Sequence, residues 1–504
     1  MPYDKKSYGR ILRSTSVIGG SSLANVIIGL LGAKVIAVLL GPTGIGLLSL
    51  YKGLIQTASS FASVGIGMTA TRQLADASAK QNYRLLYVTR KAIFYGTFFL
   101  ASFGALALWL LRDFFALHVL GTASDGYLVG WLSLGVALSV ITISQSATLQ
   151  GMRRIGDIAK INVYGSLLST IFGLLMIWIW GQNGLIGFVL GGPFISYLIG
   201  SLYISRLPKI EESQINLEEI YFQWKYLLRL GVPFMGAGLV GALVQLWIRV
   251  EIGNSLGIDS VGYYQAAWSI SMQYIGFILL SMSADFYPAL TQVIGDKKAA
   301  TKLVNEQTEV ALLISAPVFI AMMGLCPWII EIMYSSQFLL ATDILRWQLL
   351  GDVLKVTSWP LGFVILSSGA GKTYFLTESF SYLLMGILIY LLCSKIGLEI
   401  TGIAFLISYI AMLPIVYWLA KIKINFKFNV NIIFLSVIIF LSCCVVWIMS
   451  VKFVWGSILG LCLAFIFSLY SANRILKLSN LGDKISIIRI TIIKIFKKSG
   501  SKNG

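Results

Sequence analysis

Fourteen apolar runs, each long enough to cross a lipid bilayer, follow one another along this chain. They cover roughly residues 15–40, 44–70, 86–111, 127–149, 160–180, 184–204, 226–250, 260–284, 308–332, 345–367, 373–393, 398–420, 429–450 and 453–472. A helix needs about 20 apolar residues to span a hydrocarbon core about 30 Å thick. Composition agrees: 57% of the 504 residues are apolar and 12% are charged, against about a quarter charged in soluble domains. Mean hydropathy is +0.83. A water-soluble globular fold is excluded. The expected class is an all-α polytopic membrane protein of about fourteen helices. Little more than Lys452 separates the last two runs, which also admits twelve spans and a re-entrant hairpin.

The net charge of +18 comes from 39 Lys and Arg against 21 Asp and Glu. With the N-terminus placed in the cytoplasm, the even-numbered connections and both tails hold 31 of the 39 basic residues. Five fall outside (Arg112, Arg249, Arg346, Lys395 and Lys452), and Lys34, Lys52 and Lys355 lie within spans. This asymmetry matches the excess of Lys and Arg on the cytoplasmic side of membrane proteins. It predicts cytoplasmic N- and C-termini and accounts for the charge without a nucleic-acid partner. The tail 473–504 carries eight basic residues and one acid, Asp483. Its segment Lys484–Lys498 interleaves Ile with Lys and Arg, the pattern of a helix lying on an anionic leaflet.

An internal repeat organises the chain. Leu40-Gly41 followed by Ile45-Gly46 matches Leu256-Gly257 followed by Val261-Gly262 at an offset of 216, and Gly20 matches Gly236. Gly151–Arg154 matches Gly369–Lys372 at 218, as Gly184 matches Gly402. Six spans separate the copies, so both share one orientation and the repeat axis runs along the membrane normal. The expected organisation is a cytoplasmic N-terminal segment (1–14), an N-lobe of six spans (15–204) and a cytoplasmic linker (205–225). A C-lobe of six spans (226–420), two appended spans (429–472) and the basic tail follow.

Catalysis has little support. Cys326, Cys393, Cys443, Cys444 and Cys462 all sit in apolar runs with no metal or redox spacing. The single histidine, His118, lies in an external loop beside Arg112 and Asp113. Gly369-Ala-Gly-Lys-Thr373 imitates the end of a phosphate-binding loop, but Leu366 stands where its first glycine belongs. External loops are short, and paired external carboxylates are missing.

The informative residues are charges inside spans, each of which costs free energy in lipid unless it meets water or a partner. Lys34 lies about six residues from the outer end of span 1 and Lys52 about eight residues into span 2, so both are expected roughly 9–12 Å deep. Antiparallel neighbours at matching depth would bring the two ammonium groups into one region. Arg249 falls within one residue of the repeat equivalent of Lys34. Lys355 is mid-span with Asp352 three residues before it, on the same helix face. The functional reading is a cationic cavity for an anion such as phosphate or pyrophosphate. Snorkelling to the interface, and a neutral Asp352–Lys355 pair, are the structural alternatives. Arg72, Arg153 and Arg154 are candidates for the inner mouth. The acids Asp352, Asp285 and Glu251 are the candidates for an ion-coupling site. Membrane-depth amides (Asn25, Gln56, Gln145, Gln245, Gln273, Gln348) and aromatic residues (Tyr51, Trp247, Tyr263, Tyr264, Trp268, Tyr274) suit sugar rings, or alternatively interhelical bonding. Pro193, Pro233, Pro288, Pro317, Pro360 and Pro414, with Gly65 and Gly67, mark bending points.

The two lobes, the two appended spans, the Leu-Gly-Pro-Thr-Gly-Ile-Gly stretch at 40–46 and the run Leu149–Asn162 resemble Wzx-type O-antigen flippases. These are polysaccharide-biosynthesis members of the multidrug/oligosaccharidyl-lipid/polysaccharide exporter superfamily. The resemblance covers roughly residues 10–472. It implies a MATE-like fold without catalytic residues, metal or cofactor. It also implies movement of an undecaprenyl-pyrophosphate-linked oligosaccharide between leaflets of the bacterial inner membrane. Related proteins keep basic residues in a central cavity, where Lys34, Lys52 and Arg249 are the matching candidates; Lys355 is the fourth choice for the cationic cavity. Drug exporters of the superfamily carry an acid in the first span, which this chain lacks. The appended spans are also similar to those of lipid II flippases. A polysaccharide polymerase and a chain-length regulator are the protein partners such a role implies. A cation-coupled exporter, a membrane glycan polymerase and a transport-inactive scaffold are the other readings.

Overall fold

A polypeptide in hydrocarbon must satisfy its backbone hydrogen bonds internally, and helices do so within one segment. The computed structural model, which describes residues 5–208, 216–453 and 455–478, is accordingly helical, with no strand among the described residues. In chain order the helices are α1 (Lys5–Ser63), α2 (Ile66–Ala79), α3 (Tyr83–Leu110), the single turn α4 (Arg112–Phe115), α5 (Gly126–Gly151), α6 (Ile155–Trp180), α7 (Gly184–Ser205) and α8 (Leu217–Leu256). They continue with α9 (Ile258–Val293), α10 (Lys297–Met333), α11 (Ala341–Ser367), α12 (Gly371–Ile396), α13 (Ile400–Ile424), α14 (Val430–Lys452) and α15 (Gly456–Leu478). The apolar runs lie on these helices to within a few residues at their ends, the first lying in α1 and the second running from α1 across Val64 and Gly65 into α2. Ten described segments are long and apolar enough to cross a membrane, and two of them, Gly20–Ser63 and Ile155–Ser205, have the length of two crossings each. The expected tail helix Lys484–Lys498 and the linker acids Glu211 and Glu212 lie outside the described residues, as does the Pro233 side chain.

The breaks explain how long apolar stretches become separate rods. Gly41 interrupts α1 with φ 62° and ψ −161°, a region that essentially only glycine occupies. Gly257, between α8 and α9, adopts φ 87° and ψ 163°, nearly the same conformation 216 positions later. Gly181 and Gly397, also 216 apart, both have positive φ, at 58° and 80°. The repeat is therefore written in the backbone as well as in the sequence. A further break at Val64 and Gly65 separates α1 from α2.

Contacts divide the chain into two units. The first comprises Met1–Gln273, Ile330–Leu345 and Phe375–Ser408. In it α6 packs on α7 and α1, α5 packs on α3, α2 and α7, and α8 packs on α1 and α3. Small residues and polar bonds hold these contacts, as expected where lipid removes the hydrophobic drive between helices. Thr97 Oγ1 donates to Ser144 Oγ at 2.8 Å, Gln145 Nε2 to Ser201 Oγ at 2.9 Å and Gln223 Nε2 to Thr89 Oγ1 at 3.1 Å. The second unit comprises Tyr274–Ile329, Arg346–Tyr374 and Tyr409–Gly504. Its interior includes Phe286, Leu290, Leu361, Val364, Met412 and Val416. Large apolar side chains such as Trp178, Phe94, Phe98 and Phe434 stay exposed, a pattern that lipid rather than water rewards.

Candidate functional site

Two cavities of about 420 and 740 Å³ lie within the first unit and meet at Ser139 and Pro193, which line both. Each falls within the range of small-molecule sites. The first is walled by Gly29, Gly32 and Ala33 of the first limb of α1, by Lys52 and Gln56 of its second limb, and by α6 and α7. The second is walled by α2, α5 and α7 and carries Arg72. Together they form a trough with one cation in each compartment and no Asp or Glu in the lining. Hydroxyls supply much of the wall, including Ser59, Ser139, Ser166 and Ser169 near Lys52 and Thr71, Thr142 and Ser146 near Arg72.

Lys52 is exposed to the first compartment, and its Nζ lies 5.2 Å from the centroid of the Phe188 ring. No carboxylate comes within 4.0 Å of Lys52, Arg72 or Arg249 among the described residues. An ammonium that meets only an aromatic face is held by a cation–π attraction of about 0.5–2 kcal/mol and keeps its charge available to an anion. The lining holds no acid of its own to pair with either cation.

Arg249 sits beside the same limb of α1: a Cβ built on Gly53 would lie 3.9 Å from its Nη1. Its Nε donates to Gln265 Oε1 at 3.1 Å and its Nη1 to the Gln245 carbonyl at 2.9 Å. Tyr264 Oη donates to Gln245 Oε1 at 3.2 Å, and Gln265 Nε2 to Ser269 Oγ at 2.7 Å. The guanidinium is thus oriented entirely by neutral groups.

Lys34 does not share the trough. The first limb of α1 turns Gly29, Gly32, Ala33 and Ile36 toward the cavity. Lys34 lies about 100° further round the helix from Ala33. Its Nζ donates to the Glu331 carbonyl at 2.9 Å. The convergence of Lys34 with Lys52 expected from equal depth is not what the rotation about the helix axis gives.

Near the Gly41 break, the repeat-related turns pack against each other. Thr43 Oγ1 donates to Asp259 Oδ1 at 2.5 Å, across 216 positions. A Cβ on Gly46 would strike the Ile258 carbonyl, and a Cβ on Gly262 would strike the Pro42 carbonyl. Gly46 and Gly262, like Pro42 and Ile258, differ by 216. The contact is reciprocal, as across a two-fold axis, and only glycine admits backbones this close.

The second unit holds a separate polar cluster. Tyr274 Oη donates to Oδ2 of the fully buried Asp352 at 2.5 Å. Gln348, one turn earlier on α11 and also fully buried, has neither amide atom bonded to a described residue. Lys355 Nζ lies 5.7 Å from the Tyr409 ring centroid. Asp285 is exposed on α9. Glu251, in the first unit, accepts from Ser255 Oγ at 2.7 Å. Arg153 is exposed in the turn after α5 with φ 56°, and Arg154 stands 3.8 Å from Asp157. Neither lines the trough. Among the described residues no group of three or more His, Cys, Asp and Glu is arranged to hold a metal ion.

Residues 35–343 match the family described as polysaccharide biosynthesis protein. The chain belongs to this family. It is 24% identical over 399 residues to a lipid III flippase of Escherichia coli (strain K12), an alignment that covers 77% of this chain and 93% of the relative. It is 21% identical over 265 residues to the teichuronic acid biosynthesis protein TuaB of Bacillus subtilis (strain 168), covering 52% of this chain and 53% of that one. Among solved structures, the inward closed conformation of the lipid II flippase MurJ superposes with a TM-score of 0.70 at 16% identity. That match covers 90% of this chain and 98% of MurJ. An inward-facing MATE transporter of the MOP superfamily gives 0.65 at 16% identity, covering 80% and 94%. These likenesses establish a MOP-type fold for this member of the family.

Reasoning from deep charges missed the hydroxyl wall. Its signal was present on α5, where Ser139, Thr142, Ser146 and Gln150 are spaced i, i+3, i+7 and i+11 and so share one helix face. Phe188, the ring under Lys52, is an ordinary apolar residue in sequence, and only packing picks it out.

Proposed function

We propose that this chain is a flippase that moves an undecaprenyl-pyrophosphate-linked oligosaccharide, the repeat unit of a polysaccharide, across the bacterial inner membrane by alternating access. The observation that carries this reading is the acid-free trough with Lys52 and Arg72 in its two compartments and hydroxyls between them. A pyrophosphate needs cations not already paired with carboxylates, and a glycan needs a wall of hydrogen-bonding groups. The prenyl chain needs neither and stays in lipid. Lys52 and Arg72 stand on different helices, on either side of the Val64–Gly65 break, and each lines its own cavity, so the trough offers one compartment to the pyrophosphate and a second to the sugars.

In this reading Lys52 and Arg249 stabilise the pyrophosphate and Arg72 meets it at the cytoplasmic mouth; Lys355 is the fourth choice of cation, and Lys34, bonded to the Glu331 carbonyl, is not among them. Arg153 and Arg154 add positive charge at the cytoplasmic surface. Both termini are cytoplasmic, as the 31-to-5 division of basic residues suggests. Asp352, with Tyr274 and Gln348 around it, is the first candidate for coupling to H⁺ or Na⁺, ahead of Asp285 and Glu251. A polysaccharide polymerase and a chain-length regulator would receive the translocated unit. The residues act by binding and orientation, with no bond made or broken. A lipid II-type substrate is the alternative, favoured by the superposition on MurJ.

Deletion of the gene in its host tests the reading. The expected result is complete, unpolymerised lipid-linked units retained in the cytoplasmic leaflet. Units that reach the outer leaflet yet stay unpolymerised would refute it in favour of a polymerase or scaffold.

A further inference from the structure

Hydroxyls in apolar helices ordinarily bond back to a carbonyl three or four residues earlier. Thr71, Thr142 and Ser169 of the trough do so, to Gly67, Leu138 and Ser166. Ser139, Ser146, Ser166, Thr170 and Ser196 line the same trough, and their side chains bond to no described residue. Of these five, Ser139 alone lines both compartments, as Pro193 also does. Proline has no N–H for the carbonyl four residues back, so the Val189 carbonyl lacks its helical donor, and Val189 lines the compartment of Lys52. The junction of the two cavities thus combines a small side chain with an unspent hydroxyl beside a proline, and the residue whose carbonyl the proline frees lies on the Lys52 side.

We propose that Ser139 is a specificity-determining residue: with Pro193 it forms the neck through which the glycan of the lipid-linked substrate threads between the Arg72 and Lys52 compartments. This rests on the flippase reading. Its small volume sets the width of glycan that passes, and its hydroxyl replaces a water on a sugar hydroxyl during passage.

The test is a Ser139→Cys variant in a Cys462→Ser background, since Cys462 is the exposed native thiol. The protein is reconstituted in proteoliposomes with undecaprenyl-pyrophosphate bearing the host's own repeat unit. Unmodified Ser139→Cys is expected to flip the unit measurably more slowly than the parent, because a thiol is a weaker hydrogen-bonding group than a hydroxyl, and it sets the reference rate for the modification. Benzyl methanethiosulfonate, a neutral aromatic reagent, should cut the rate at least ten-fold, and dithiothreitol should restore it. Ser133 serves as control: it lies on the same helix, donates to the Gly130 carbonyl at 2.6 Å and lies outside the trough. Modified Ser133→Cys should keep its rate. Full-rate transport by stoichiometrically modified Ser139→Cys would overturn the neck and leave the flippase reading standing. Equal losses at both cysteines would also overturn it. Failure of the unmodified parent to move the unit would overturn the flippase reading and the neck with it. Ser139→Leu supplies the same blockade without chemistry, with its folding checked by thermal unfolding in detergent.

Discussion

Replacing Lys52 by alanine isolates the charge on which the anion site depends. The ammonium rests on the Phe188 ring at 5.2 Å and has no carboxylate within 4.0 Å among the described residues. Its removal therefore strands no buried counter-charge, and the folded protein forfeits only a cation–π contact of about 0.5–2 kcal/mol. Toward substrate the loss is larger, because a hydrogen bond to a charged group is worth about 1.5–3 kcal/mol. At 1.4 kcal/mol per factor of ten, that is roughly a ten- to hundred-fold fall in apparent affinity for the pyrophosphate. Lys52→Arg restores the charge, although the larger fork must fit the same wall, so partial transport is expected. Lys34→Ala is the internal contrast: its ammonium meets the Glu331 carbonyl rather than the trough. It should cost about 1 kcal/mol of stability and little transport. The assay is flipping of the lipid-linked unit in proteoliposomes, with rate measured against substrate concentration. Transport by Lys52→Ala with wild-type affinity and rate would refute the anion site, and wild-type transport by the Lys34→Ala/Lys52→Ala double variant would end the cationic-cavity assignment.

Alternating access requires the reciprocal turns to part, so Thr43→Cys/Asp259→Cys joined by a short bifunctional thiol reagent should stop transport, and reductant should restore it; unimpaired transport by fully cross-linked protein would show that the contact never opens. Gly46→Val and Gly262→Val each force a side chain onto a facing carbonyl. Each should lower stability by about 1–3 kcal/mol in thermal unfolding, and the double variant should cost less than the sum because both disturb one contact; unchanged midpoints would show that the turns adjust freely. Tyr274→Phe removes the donor to the buried Asp352 carboxylate and should cost about 1.5–3 kcal/mol, read as a lower unfolding midpoint in detergent; no change would mean that the bond contributes nothing.

Much of the architecture was legible in the residues alone. Membrane-length apolar runs leave a backbone few options, so the runs are helical, the second broken once at Val64 and Gly65, and the 216-residue offset reappeared in the paired conformations of Gly41 with Gly257 and Gly181 with Gly397. The helix class and the repeat are local or periodic properties, and the sequence by itself determines them: solvent chemistry dictates the first, and recurrence along the chain exposes the second. The site depended on what recurrence cannot encode. Depth along a helix follows from counting residues, which placed Lys34 and Lys52 level. Rotation about the axis, and the neighbour each face meets, follow from packing. Packing turned Lys52 into the trough and Lys34 toward the Glu331 carbonyl, set Phe188 under the ammonium and Gly53 beside Arg249, and joined two cavities at Ser139. A charge's cost in lipid is visible in one dimension, but its partner is chosen in three.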